Sequence, residues 1–237
     1  MLNDISSLLD LTRSMLQAHS CRYIGEENRR MFNEPANARG VSILGLGVIA
    51  DDIYPTLKRW PVGERNEFCT KLWDTQYLED GALAGCIYRR FMKVCGEPEF
   101  RLFEFWIDSY AYHYSHVDEL APHAIAGCLA HHPPLLAELD AWTQSANRWK
   151  RRAAAGSLTQ EAWYDRNLPV IFRIAKPLLL DADRFVRMSA GDLLAAAYKK
   201  HPEEILAFLQ AHPRIPSDAL SSATHKMPAA IRRRLLA

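Results

Sequence analysis

The chain has 237 residues, 49% of them hydrophobic and 24% charged, with a formal net charge of +1. That is the composition of a soluble globular protein with length enough for a real core, in one domain or two small ones. It excludes binding of polyanions through bulk charge, so any such contact must come from local clusters: Arg29-Arg30, Arg89-Arg90, Arg148 to Arg152, Lys199-Lys200 and Arg232 to Arg234.

The first residues, Met1-Leu-Asn-Asp-Ile-Ser-Ser7, lack the basic and apolar regions of a signal peptide. Helical periodicity follows over 3–19, where Ile5, Leu8, Leu9, Leu11, Met15 and Leu16 form one stripe. The longest apolar run, Val41 to Ala50, is too short to span a bilayer. Within it, Gly45-Leu-Gly47-Val-Ile-Ala50-Asp-Asp52 imitates a dinucleotide-binding turn. That turn requires a preceding strand and a parallel sheet, neither of which is evident, so the segment reads as helix packing. Five cysteines (Cys21, Cys69, Cys86, Cys95, Cys128) without a Cys-x-x-Cys pair are expected as reduced thiols in a cytoplasmic protein.

Further helices are expected over 64–73, 77–94, 99–110, 118–131, 133–142, 147–157, 159–179, 184–200, 203–211 and 228–236. Breakers such as Pro61-Val-Gly63, Gly96-Glu-Pro98, His132-Pro-Pro134 and Pro213 to Pro216 separate them. No stretch alternates as a strand does, and the fold class is all-α. Patches ending in Ala-Gly recur at Gly85, Gly127, Gly156 and Gly191, at intervals of 42, 29 and 35 residues. Glycine inside a helix costs roughly 1 kcal/mol against alanine, so these positions predict close helix contacts. The interval is that of α-solenoid repeats, which bury one face and offer a concave surface to a partner.

Between 113 and 118 the chain reads His113-Tyr-Ser-His116-Val-Asp118. It forms no known zinc signature and has no further ligand cluster, so no metal or other cofactor is expected. Ser115-x-x-Asp118 also fits a capping box, with Ser115 as N-cap and Asp118 or Glu119 in the first turn. Further on, Ser145 or Asn147 can cap a helix that carries Arg148, Lys150, Arg151 and Arg152. Arg148, Arg151 and Arg152 recur at spacings of three and four and share a face. That face is either a polyanion contact or a solvated surface.

Tyr114-Ser-His-Val-Asp118-Glu-Leu-Ala-Pro122, followed by Trp142 to Ala155, resembles the AlkD-like family of bacterial alkylpurine DNA glycosylases. Lys71-Leu-Trp73-Asp through Ala82-Leu-Ala-Gly85 is similar to that family's second-repeat region, and Gly40-Val-Ser42 to its lead-in motif. The resemblance covers roughly residues 22–236. It implies a solenoid of HEAT-like repeats, a single domain over 1–237 with a concave DNA-binding face. The implied reaction is hydrolysis of the N-glycosidic bond of cationic N3- or N7-alkylpurines in double-stranded DNA. Asp118 matches the catalytic carboxylate, and Arg152 the DNA-contacting arginine, beside Arg148, Lys150 and Arg151. Of the two tryptophans that flank the carboxylate in the family, Tyr114 stands at the first position and Asp192 at the second, both as lesion contacts. The resemblance further implies a monomer, without membrane attachment, in the cytoplasm at the nucleoid. Loss of the second indole leaves open a non-catalytic binder of damaged or branched DNA on the same fold. A protein-binding helical scaffold with a merely solvated basic face is the third alternative.

Overall fold

A computed structural model of the chain describes residues 4–30, 37–160 and 167–236. The side chains of Arg29-Arg30, and residues 161–166 of the helix expected over 159–179, lie outside the described residues. What is described is helical, without a strand, and divides into two compact units, Met1–Leu120 and Ala121–Ala237.

In the first unit the helices are α1 (Ile5–Ala18), α2 (Arg22–Arg30), α3 (Ile43–Leu57), α4 (Val62–Asp74), α5 (Leu78–Phe91), α6 (Glu97–Ser109) and α7 (Tyr114–Leu120). Helices α3, α5 and α7 lie side by side, α4 packs across α5 and on α6, and α1 closes the end against α3 and α4. Phe68, Tyr88, Phe100, Phe103 and Trp106 fill the space between the layers and are fully buried. The Trp106 indole N–H donates to the Thr70 hydroxyl at 3.0 Å, so burying it leaves no unpaired donor. Asp4 caps α1 by accepting the Ser7 N–H, and Ser42 caps α3 by accepting the Gly45 N–H.

The lead-in to α3 is clamped onto α5. Glu79 accepts the backbone N–H groups of Arg39 and Gly40, each at 2.8 Å. The Arg39 guanidinium forks onto buried Asp80 at 2.6 and 2.8 Å. Gly40 has a φ of +84°, and a Cβ there would collide with the carbonyl of Cys21, so only glycine fits this turn.

The second unit opens on a π-helical turn (Ala121–Ile125) around Pro122, which has no N–H for a regular ladder. Its helices are α8 (Ala126–His131), α9 (Leu136–Trp142), α10 (Arg148–Gly156), α11 (Leu168–Leu178), α12 (Arg184–Ala197), α13 (Pro202–Ala211), α14 (Ser217–Thr224) and α15 (Ala229–Leu236). Helices α10, α12 and α14 lie side by side, α11 crosses α10 and α12, and α15 packs on α14.

The repeat expected from the sequence exists, but the glycines do not set its register. The residues just before α3, α5, α7, α10, α12 and α14 are Ser42, Tyr77, His113, Asn147, Asp183 and Pro216, each 33 to 36 positions beyond the last. The glycines mark close contacts instead. A Cβ on Gly85 would lie 2.8 Å from the Glu119 Cβ, and one on Gly191 2.6 Å from the Ser222 Cβ. Five helices differ from expectation. Helix α7 starts at Tyr114 and not at 118, α11 starts at Leu168 and not at 159, and α2, α3 and α14 had no expected span. Their apolar residues are too few, or too evenly spread, for a clear stripe.

Candidate functional site

The start of α7 decides what Asp118 does. His113, not Ser115, occupies the cap: its Nδ1 accepts the Ser115 N–H at 3.2 Å and lies 2.7 Å from the Ser115 hydroxyl. With Tyr114 as the first helical residue, Asp118 is the fifth and lies beyond the first turn. The capping-box reading is therefore corrected. The cause is local: the His113 ring reaches an N–H of the first turn before the serine can. Tyr114 and Asp118, four apart, share one face, and both are half-buried. The His113 ring lies against Tyr114 with centroids 4.4 Å apart, limiting the positions that ring can take.

His116 faces the other way. It is 1% exposed, its edge meets the Trp73 ring at 4.7 Å, and its Nε2 lies 2.9 Å from the Leu78 carbonyl. Burial pushes its pKa down from 6.5 to about 3. It is a neutral wedge in the core beneath the exposed face of α7.

In the sequence Glu119 figured only as an alternative acid of the capping box. It packs against Gly85 and accepts a contact from the Cys86 thiol at 3.4 Å. Burial, against the pull of Arg89 and Arg90, raises its pKa above the usual glutamate range, and burial raises Cys86 to about 12. Glu119 borders an open cleft of about 630 Å³ with exposed Arg89 and the apolar side chains Leu44 and Val48. Arg90 is held at its edge by Asp51 at 2.7 Å and by the carbonyls of Cys86 and Gly47. Only the helix packing distinguishes Glu119 from an ordinary acid on a helix surface.

A second cavity, of about 310 Å³, lies at the N-terminal ends of α3, α5 and α7, and Tyr114 and Ser115 form part of its wall.

The basic stretch lies in the second unit. Asn147 caps α10, accepting the Trp149 N–H at 2.9 Å. Arg151 forks onto Asp181 at 2.6 and 2.9 Å and donates to the Ser145 carbonyl. Burial alone would raise Asp181, but the Arg151 guanidinium overrides it, and the carboxyl titrates below its ordinary range. One repeat on, Arg187 does the same with Asp218 and the Asp181 carbonyl. Arg148 lies 3.3 Å from Asp183, and Arg152, 7% exposed, donates to the Phe185 carbonyl. The arginines expected to share an open basic face are thus largely turned to carboxylates and carbonyls of the next repeat. Arg148 and Lys150 keep part of their surface in solvent. Asp192, on α12, is 46% exposed, with His225 at 3.9 Å. Exposed basic clusters of this unit are Lys199-Lys200 and, on α15, Arg232 to Arg234.

These features can be set against known proteins. Residues 12–227 match the model of the family described as DNA alkylation repair enzyme. Two solved structures have a similar fold. One is smu.31 from Streptococcus mutans UA159: TM-score 0.59, 17% identity, covering 91% of this chain and 98% of that one. The other is AlkD2 from Streptococcus mutans: TM-score 0.59, 18% identity, covering 88% and 99%. At that identity the likeness speaks for the fold alone. Comparison with curated proteins gave no match.

Proposed function

The chain belongs to the DNA alkylation repair enzyme family, and from that premise we propose that it hydrolyses the N-glycosidic bond of cationic N3- or N7-alkylpurines in double-stranded DNA. The supporting observation is the placement of Tyr114 and Asp118 one turn apart on the same half-exposed face, with the capping role taken by His113. A carboxylate beyond the first turn is not a cap and can serve an incoming sugar.

Alkylation leaves the purine positively charged, so the base departs with the bonding electron pair as a neutral molecule and needs no general acid. Breaking the C1′–N bond leaves an oxocarbenium ion, which the Asp118 carboxylate stabilises and toward which it orients water. Water adds to C1′ and loses a proton, giving an abasic sugar. The Tyr114 ring lies against the lesion nucleotide, where an aromatic face attracts a cation by about 0.5–2 kcal/mol. Arg148 and Lys150 contact phosphate, while Arg151 and Arg152 brace α10 for them. Asp192 adds negative charge at the lesion in place of an aromatic face.

The test is release of 7-methylguanine and 3-methyladenine from methylated DNA. Asp118→Asn should abolish release, at least about a hundredfold in rate, while DNA affinity by fluorescence anisotropy stays within about twofold. Parallel loss of binding would assign Asp118 a structural part. The second reading, a non-catalytic binder of damaged or branched DNA, is favoured by Asp192 standing where the resemblance expects an indole. Preference for four-way junctions over duplex, with no alkali-labile site formed, would establish it.

A further inference from the structure

The second unit carries a cavity that the reaction described above does not use. It lies where the C-terminal ends of α11 and α13, two helices packed on α12, meet the turns that follow them. We infer that it docks an acidic segment of a partner protein: one large apolar side chain enters the cavity, and flanking carboxylates pair with Lys176 and Arg214. The inference goes beyond the glycosylase reading and does not depend on it.

Size decides between classes of guest. The cavity is about 230 Å³, below the roughly 300–1,000 Å³ of small-molecule sites. A single leucine, phenylalanine or tryptophan side chain fills such a space. Apolar anchors of that kind, seated in desolvated pockets, carry much of the energy of protein interfaces. The wall suits an anchor: Leu179 and Ile215, at most 9% exposed, form its buried part. Leu180 follows Leu179 directly but is 57% exposed, and it extends the apolar wall to the surface.

Charge decides the partner. Lys176 and Arg214 line the same cavity, and both are exposed. Arg148, Arg151, Arg173 and Arg187 of this unit are turned to carboxylates. Lys176 and Arg214 form no ion pair with any described residue. Two cations beside an apolar cavity complement an apolar side chain set between carboxylates, and such complementarity selects the partner and speeds its approach. The phosphodiester backbone of a duplex would meet the same cations but presents no bulky apolar group to fill the cavity. An acidic peptide uses both features.

The cavity is also held in shape. His212, in its wall, donates through Nδ1 to the Phe208 carbonyl at 2.7 Å, and its ring lies 4.3 Å from that of Phe208. Phe208 in turn stacks flat on Phe172 at 4.5 Å, so the column ties α13 to α11 beside the cavity. A wall already fixed leaves less ordering cost to be met on binding.

The probes are short fluorescein-labelled peptides in which aspartates flank a central phenylalanine, leucine or tryptophan. Controls replace the aspartates by lysines or the central residue by alanine. In anisotropy titrations of the full chain, at least one acidic peptide should bind at least about tenfold more tightly than either of its controls. Its affinity should fall as salt rises from about 0.05 to about 0.5 M. Leu180→Asp removes the outer apolar wall, and Lys176→Glu/Arg214→Glu reverses the charge. All three positions are exposed, so the variants should fold, and each should weaken peptide binding at least about tenfold while duplex DNA affinity stays unchanged. No binding of any acidic peptide, or binding that the variants leave intact, would overturn the inference. A fall in duplex affinity in Lys176→Glu/Arg214→Glu would overturn it by assigning the cations to nucleic acid. Concentration-dependent dimerisation that Leu180→Asp abolishes would overturn it by giving the cavity to a second copy of the chain.

Discussion

At the scale of single residues, His116 shows how a side chain can serve a site without touching it. In the sequence it had no assigned role, and the fold turns it inward between Trp73 and the Leu78 carbonyl. Its folded pKa of about 3 lies below the ordinary 6.5, so the unfolded chain takes up the proton first. The stability that depends on neutral His116 is complete above pH 6.5 and is lost as the pH falls toward 3. Between pH 6.5 and 5 the loss should be roughly 2 kcal/mol. Thermal melts of the wild type should fall more steeply over that window than those of His116→Gln, which can still donate to the Leu78 carbonyl. Parallel curves for the two proteins would show that His116 does not carry the acid sensitivity. Asp118 makes the complementary point. Its residue type and its spacing from Tyr114 were legible, but a cap and a reactive group looked alike until the helix start was known.

At the scale of elements, the glycines reported contact and the N-caps reported register. Gly191 sits where α12 meets α14, and a Cβ would lie 2.5 Å from the Ala219 carbonyl oxygen and 2.9 Å from the Ala223 nitrogen. Both are backbone atoms of a packed helix and cannot swing aside. Gly191→Ala should therefore cost about 1–3 kcal/mol in denaturant unfolding, despite the roughly 1 kcal/mol that alanine gains in helix propensity. A stabilised variant would show that α14 slides to accommodate the methyl. The paired arginines belong to this scale too. Arg151 and Arg187 repeat the same fork, each onto an acid of the following repeat. The i, i+3, i+4 pattern placed the arginines on one face correctly. It carried no information about the carboxylates 30 or so residues away in the sequence.

At the scale of the whole molecule, a net charge of +1 and ion-paired arginines set an expectation for DNA binding. If Arg148, Lys150 and one or two further cations meet phosphates, affinity should fall with log salt at a slope of about −2 to −4. Anisotropy titrations between about 50 and 200 mM salt measure it. A slope of about −5 would mean that Arg151 and Arg187 leave their carboxylates for phosphates on binding. The wide solvent exposure of Arg232 to Arg234 makes α15 the first element to test for an added contribution.

The sequence by itself determined the all-α class and a repeat of the right length, and its motifs pointed to the family. Those features depend on periodicity, breakers and motifs, which are local in the chain. Tyr114 and Asp118 were named through the family resemblance, whose motif is also local in the chain. Only the tertiary structure decided that His113 caps α7, that His116 belongs to the core and that Arg151 is bound to Asp181. It alone brought Ser42, Glu79, Ala82 and Tyr114 around one cavity. Those outcomes depend on which helices lie side by side, and side-by-side packing joins residues more than 30 positions apart that no local pattern links.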